Sequence, residues 1–116
     1  MLKKEYRLKK RYQFNYTYRA GQTVSSSHLL ICFAKSKNRY IKIGLSVTKK
    51  VGKAVVRNHI KRLIHANLAP LIPSLKKDYN LIVIARPNIT TIGFKEIGAE
   101  LTYCVKKAGL FINEDL

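Results

Sequence analysis

The chain has 116 residues, 47% of them hydrophobic, and carries 23 Lys and Arg against 6 Asp and Glu, a formal net charge of +17. That length is one domain's worth, and the apolar share excludes wholesale disorder. So large a surplus of one sign repels itself and serves no fold, which argues against small acidic substrates and a neutral surface. It points to a polyanion, with nucleic acid ahead of an anionic membrane.

Residues 1–14, MLKKEYRLKKRYQF, begin basic but never enter an apolar run of signal-peptide length. The longest clean apolar run, residues 81–85, is far too short to span a membrane, so a cytoplasmic protein is expected. Tyr12, Phe14, Tyr16 and Tyr18 recur at every second residue, which suits a strand; Phe14 and Tyr18 are also i,i+4 neighbours, which suits one face of a helix. Periodicity leaves both readings open. Residues 22–27 and 35–39 look like turns.

Residues 29–34 (LLICFA) and 40–47 (YIKIGLSV) read as strands. In the second, Ile41, Ile43, Leu45 and Val47 alternate with Tyr40, Lys42, Gly44 and Ser46, the pattern of a sheet with one buried face. From residue 53 to 69 the apolar period becomes helical, and Pro70 and Pro73 interrupt the helical region. Residues 80–86 (NLIVIAR) run β-branched without alternation, as in a strand covered on both faces, and Pro87-Asn88 ends it. Residues 91–108 place Ile97, Leu101, Cys104, Val105 and Ala108 on one helical stripe. Glu96 and Glu100 lie towards its start, Lys106 and Lys107 at its end, and Gly109 is a natural stop. No linker or repeat divides the chain, so residues 1–116 are expected to form a single domain. Cys32 and Cys104 both lie in apolar stretches, which favours reduced core thiols over a disulfide between them.

The charge is unevenly spread. No acid occurs between Glu5 and Asp78, and residues 78–116 are close to neutral. On a wheel of about 100° per residue, Arg57, Asn58, Lys61, Arg62 and His65 share one arc, while Val56, Ile60, Leu63 and Ile64 share the opposite one. Burial of the apolar arc would hold the polar one rigidly outwards. Lys49, Lys50 and Lys53 precede the helix in a loop with Gly52. An ordinary solvated face mixes both signs; this one has no acid, which favours phosphate binding.

Catalytic patterns are missing. His28, His59 and His65 have no Cys or His partners at zinc-site spacing, the acids form no metal-binding pair, and no glycine-rich phosphate loop occurs. The expectation is a protein without catalytic residues of its own, without a metal site and without a small-molecule substrate.

The segment GLSVTKKVGKAVVRNHIKRLI, residues 44–64, closely resembles the signature segment of the bacterial ribonuclease P protein subunit family. RLKKRYQFNYTYRAG and YNLIVIARP match other landmarks of that family in order and spacing, so that the resemblance spans about residues 3–108. It implies an α+β fold, a single α-β-β-β-α-β-α domain with a mixed four-stranded sheet and a left-handed β-α-β crossover. Handedness rules alone lead to the right-handed form. It also implies a helix at the N-terminal stretch, with Phe14 and Tyr18 towards the sheet. A cleft there would hold the 5′ leader of precursor tRNA, with Phe14, Tyr18, Leu30 and Cys32 as leader-binding residues. Aromatic faces accept an unstacked base of any identity; core packing is the alternative for Phe14 and Tyr18, and Tyr12 and Tyr16 stay undecided.

By the same resemblance Lys49, Lys50, Lys53, Arg57, Asn58, Lys61, Arg62 and His65 would contact the catalytic RNA subunit. The implied activity is endonucleolytic removal of the leader, with cleavage carried out by the RNA and its Mg2+. Two residues depart from the family pattern: His59 is the third residue of the Arg-Asn-Arg motif, and His65 stands where a more basic residue is common. The acidic end NEDL departs as well and is assigned no function. A ribosomal or RNA-chaperone protein and a stand-alone RNase are the competing readings.

Overall fold

Strands satisfy their backbone polar groups by pairing, and four segments of the described chain do so. In the computed structural model, which describes residues 2–113, β1 (Gln22–Ser25), β2 (Leu29–Lys35), β3 (Lys42–Ser46) and β4 (Tyr79–Ala85) form one sheet in the order β1-β2-β4-β3. β2 is antiparallel to both its neighbours, and β3 runs parallel to β4 with Gly44 opposite Ile82. A parallel pair needs a crossover, and α2 (Ala54–Leu68) makes it. α1 (Arg11–Ala20) precedes the sheet and α3 (Phe94–Lys107) follows it. The order is α-β-β-β-α-β-α around a mixed four-stranded sheet. Residues 114–116 of the acidic end lie outside the described residues.

The turn expected at residues 22–27 is a strand over Gln22–Ser25, with Thr23 opposite Cys32. As a largely exposed edge strand it has no need of an apolar run, so its sequence looks like a loop. The last helix starts at Phe94 rather than at residue 91, because a 3-10 turn over Pro87–Thr91 comes first. Gly109 ends α3 as expected: its φ of 73° is left-handed, and the Leu110 N–H reaches back to the Val105 carbonyl at 3.2 Å.

The two faces of the sheet are covered unequally. Leu29, Ile31 and Phe33 of β2 and Leu81 and Val83 of β4 meet Ile60, Ile64 and Leu68 of α2 and Ile97, Leu101, Cys104 and Val105 of α3 in the main core. On the opposite face Leu8, Cys32 and Ile82 form a small cluster with Phe14 and Ile84 packed against it. Cys32 and Cys104 are thus free, buried thiols in separate clusters. A polar chain docks α1 onto this second face. The fully buried Thr17 hydroxyl donates to the Gln13 carbonyl at 2.7 Å and accepts from Asn80 at 3.1 Å, and Asn38 donates to the Asn80 side chain at 2.8 Å.

Glu100 ties α3 to the β1–β2 connection. Its carboxylate accepts from the Ser26 hydroxyl, from the His28 backbone N–H at 2.8 Å, and faces His28 Nδ1 at 2.6 Å. Burial alone raises its pKa; the hydrogen bonds from Ser26 and His28 outweigh that and hold the carboxyl below its ordinary 4.5. A depressed folded pKa gives stabilisation that is present above the unfolded value and lost as pH falls through the folded one. Glu100→Ala should therefore cost about 1–3 kcal/mol at neutral pH and flatten the acid limb of the stability curve. Urea midpoints measured from neutral to acid pH check this, and an acid limb as steep as the parent's would contradict it.

Candidate nucleic-acid interface

α2 carries the cationic face because its other face is pinned down. Ile60, Ile64 and Leu68 are buried to 2% exposure or less. Asn58 and Arg62 are exposed on the opposite side, and Arg57, Lys61 and His65 are half-buried there. The apolar arc read from the sequence ends early: Val56 is 37% exposed and Val55, beside it, 81%, because the first turn overhangs the core. Lys49, Lys50 and Lys53 are exposed at the entry to α2. Lys53 is the N-cap and supplies no side-chain cap, so the positive end of the helix dipole adds to those ammonium groups.

Among the described residues no carboxylate forms an ion pair with Arg57, Lys61 or Arg62 of α2. Among the described residues the ion pairs are His28–Glu100 and Lys35–Asp78, the latter at 3.7 Å, and neither draws on α2. The Nε of Arg57 is buried with no acceptor among the described residues. His65 differs from its neighbours: burial first, and then the nearby cations Arg7 and Lys61, push its pKa below 6.5. Its surroundings thus disfavour the charged imidazole in the free protein, and phosphate close to those cations would offset that.

Next to this face runs a groove of about 340 Å³. Phe14, Leu8 and Gly44 line it together with Arg7 and Lys9 of the N-terminal arm and Lys61 and His65 of α2. The Phe14 ring sits directly on the β3 backbone: a Cβ at Gly44 would come within 2.5 Å of its Cζ. Glycine at that point in a strand is thus a requirement of close approach.

The leader-binding residues expected from sequence do not form one surface. Phe14 lines the groove. Tyr18 does not turn towards the sheet with it; Tyr18 is 45% exposed, and Thr17, at zero exposure, takes the inward position. The inward face of α1 thus follows an i,i+3 step from Phe14 instead of i,i+4. Leu30 is half-buried on the α1 side of the sheet. Cys32 lies beneath α1 at 4% exposure, its thiol donating to the Thr17 carbonyl at 3.3 Å, so in this conformation it packs the interior and does not line a surface. Tyr12 is 65% exposed with Lys10 over its ring, and the Tyr16 hydroxyl donates to the Lys35 carbonyl at 2.7 Å. His59 points away from the cationic arc and lines an apolar groove with Val55 and Phe94. Sequence reasoning missed Arg7, Leu8, Lys9 and Gly44 as groove residues; the strongly basic N-terminal run and a lone glycine inside a strand were the available signals.

An acid-free helix face that shares a wall with an aromatic-floored groove, on a small α+β sheet, defines a basic nucleic-acid-binding domain. Residues 2–109 match the Ribonuclease P family model. The chain is 35% identical over 113 residues to the ribonuclease P protein component of Oceanobacillus iheyensis, covering 97% of this chain and 93% of that one. Its fold matches a mutant of the Staphylococcus aureus RNase P protein with a TM-score of 0.87 and 32% identity, over 93% of this chain and 92% of that one. The RNase P protein of Thermotoga maritima, at 24% identity, shares the fold with a TM-score of 0.78 over 87% of this chain and 96% of that one. The chain belongs to the ribonuclease P protein family, as a component of the tRNA-processing holoenzyme, and its partner is RNA. Among the described residues no group of three or more His, Cys, Asp or Glu is placed to hold a metal ion, and no helix is long and apolar enough to cross a membrane.

Proposed function

We propose that the chain supplies binding rather than bond cleavage: the α2 face and its lysine loop grip the catalytic RNA subunit, and the Phe14 groove takes the 5′ leader of precursor tRNA. One observation carries this reading. Lys61 and His65 belong both to the polar arc of α2 and to the wall of the groove floored by Phe14. An RNA held on α2 thus presents its neighbouring strand to the groove. A leader bound there adds affinity to the precursor and none to the mature product, which favours substrate over product. Lys49, Lys50, Lys53, Arg57 and Arg62 neutralise crowded phosphates, which favours the folded RNA and its Mg2+ occupancy. Mg2+ held by the RNA supplies the hydrolytic chemistry, in the cytoplasm where tRNA precursors are made.

Reconstitution tests this. The protein alone should leave precursor tRNA intact, and should restore cleavage by a bacterial ribonuclease P RNA at low magnesium. Failure to stimulate that RNA, or cleavage by the protein alone, would overturn the reading. A finer test uses Gly44→Val, whose side chain displaces the Phe14 ring. Affinity for precursor tRNA in the holoenzyme should fall by about 1–3 kcal/mol, the worth of one stacked base, with affinity for the RNA subunit unchanged. Parent-like discrimination in a well-folded Gly44→Val protein would return Phe14 to a packing role.

A further inference from the structure

The groove beside α2 does not stop at Phe14. Arg7 and Lys9, which line it, also line a second cavity of about 310 Å³ at the N-terminal arm. Lys4, Lys10 and Lys42 complete that cavity's cationic wall, against a single carboxylate, Glu5. The arm is not a loose tail. Leu2 and Leu8 are buried, the Leu8 N–H donates to the Ile43 carbonyl on the edge of β3 at 2.9 Å, and Arg7 Nε donates to the Leu2 carbonyl at 2.8 Å. Lys42 donates to the backbone carbonyl of Glu5 and not to its carboxylate. The cations feel one another: burial, then Lys4, Arg7 and Lys42, lower the Lys9 pKa. Like charges held together on a pinned segment are matched by a polyanion and by little else.

We propose that this arm cavity is a second phosphate-binding site, holding the 5′-distal phosphates of the leader strand whose inner base lies on Phe14. The inference rests on the leader reading above and adds a direction to it. The leader's 3′ end joins the tRNA at the cleavage point, which belongs with the RNA gripped by α2. A strand crossing Phe14 from the α2 side therefore runs its 5′ end onto Lys4, Lys9 and Lys10. Contacts of this kind are made to the backbone and carry no sequence preference.

The test uses holoenzyme reconstituted with the Lys4→Ala/Lys10→Ala double variant, and precursor tRNAs whose leaders either end near the Phe14 position or extend several nucleotides past it. The variant should bind the short-leader substrate and the RNA subunit as the parent does, and should lose roughly tenfold in affinity for the long-leader substrate. The salt dependence of long-leader binding should also fall, by a slope of about 1.4 for two lost single-strand contacts. Glu5→Gln should act in the opposite sense and tighten long-leader binding alone. Equal affinity of variant and parent for both leaders would overturn the proposal, and so would weakened assembly with the RNA subunit, which would assign the cavity to that RNA. If the parent itself fails to distinguish leader-bearing from leaderless tRNA, the leader reading falls, and the site with it.

Discussion

Exchanging Arg57 and Arg62 together for glutamate is expected to lower affinity for the catalytic RNA subunit by about a hundredfold to ten-thousandfold. Each guanidinium that makes a charge-assisted contact to phosphate contributes about 1.5–3 kcal/mol, and every 1.4 kcal/mol is about tenfold in affinity. Reversal of charge adds repulsion to the loss. Both groups lie on a surface with no carboxylate paired to α2 among the described residues, so the change leaves no partner behind inside the protein. Thermal stability should hold or rise slightly, because crowded like charges are relieved. Titration of labelled RNA subunit at fixed salt checks the affinity, with Arg62→Glu alone as the cleaner single change since Arg62 is exposed and Arg57 half-buried. Parent-like affinity of the folded double variant would remove α2 from the interface.

Ile64→Ala is expected to be the most damaging single change to the fold. Ile64 has no exposed surface and lies where α2 meets the sheet and α3. Large-to-small substitutions at such sites cost about 2–5 kcal/mol, through lost burial and the cavity left behind. That is a large part of the stability of a domain this size. The functional consequence is specific, because the same helix carries the cations: an α2 that no longer seats firmly presents Arg57, Lys61 and Arg62 without fixed geometry. Urea unfolding measures the loss, and a cost below about 1 kcal/mol would mean that the apolar stripe does not anchor the helix.

Three of the four strands and the two later helices were legible because burial imposes on each an apolar pattern, periodic or continuous, that the sequence shows. Ile41, Ile43, Leu45 and Val47 alternate in a half-covered edge strand, and the run through Leu81 and Val83 lacks alternation because β4 is buried on both faces. β1 escaped notice because an exposed edge strand of Gln, Thr, Val and Ser carries no hydrophobic demand. The N-terminal helix was ambiguous by pattern, since its aromatic spacing fits both periods. What settles it is a tertiary feature, the Thr17–Asn80–Asn38 hydrogen-bond chain, whose members lie 63 and 42 residues apart in sequence. The cationic face of α2 could be read from a helical wheel, since one helix holds it all. The groove could not, because it is assembled from the arm, α1, β3 and α2, and depends on a Phe14 ring lying on the bare backbone of Gly44.

The most direct measurement is the ratio of affinities for precursor and mature tRNA, determined side by side in the reconstituted holoenzyme and with the RNA subunit alone. A protein that grips the ribozyme with α2 and the leader with the Phe14 groove raises that ratio well above the value for RNA alone, and Phe14→Ala brings it back down. A ratio that the protein leaves unchanged, with both tRNAs bound equally better, would contradict the account and describe a chaperone of folded RNA.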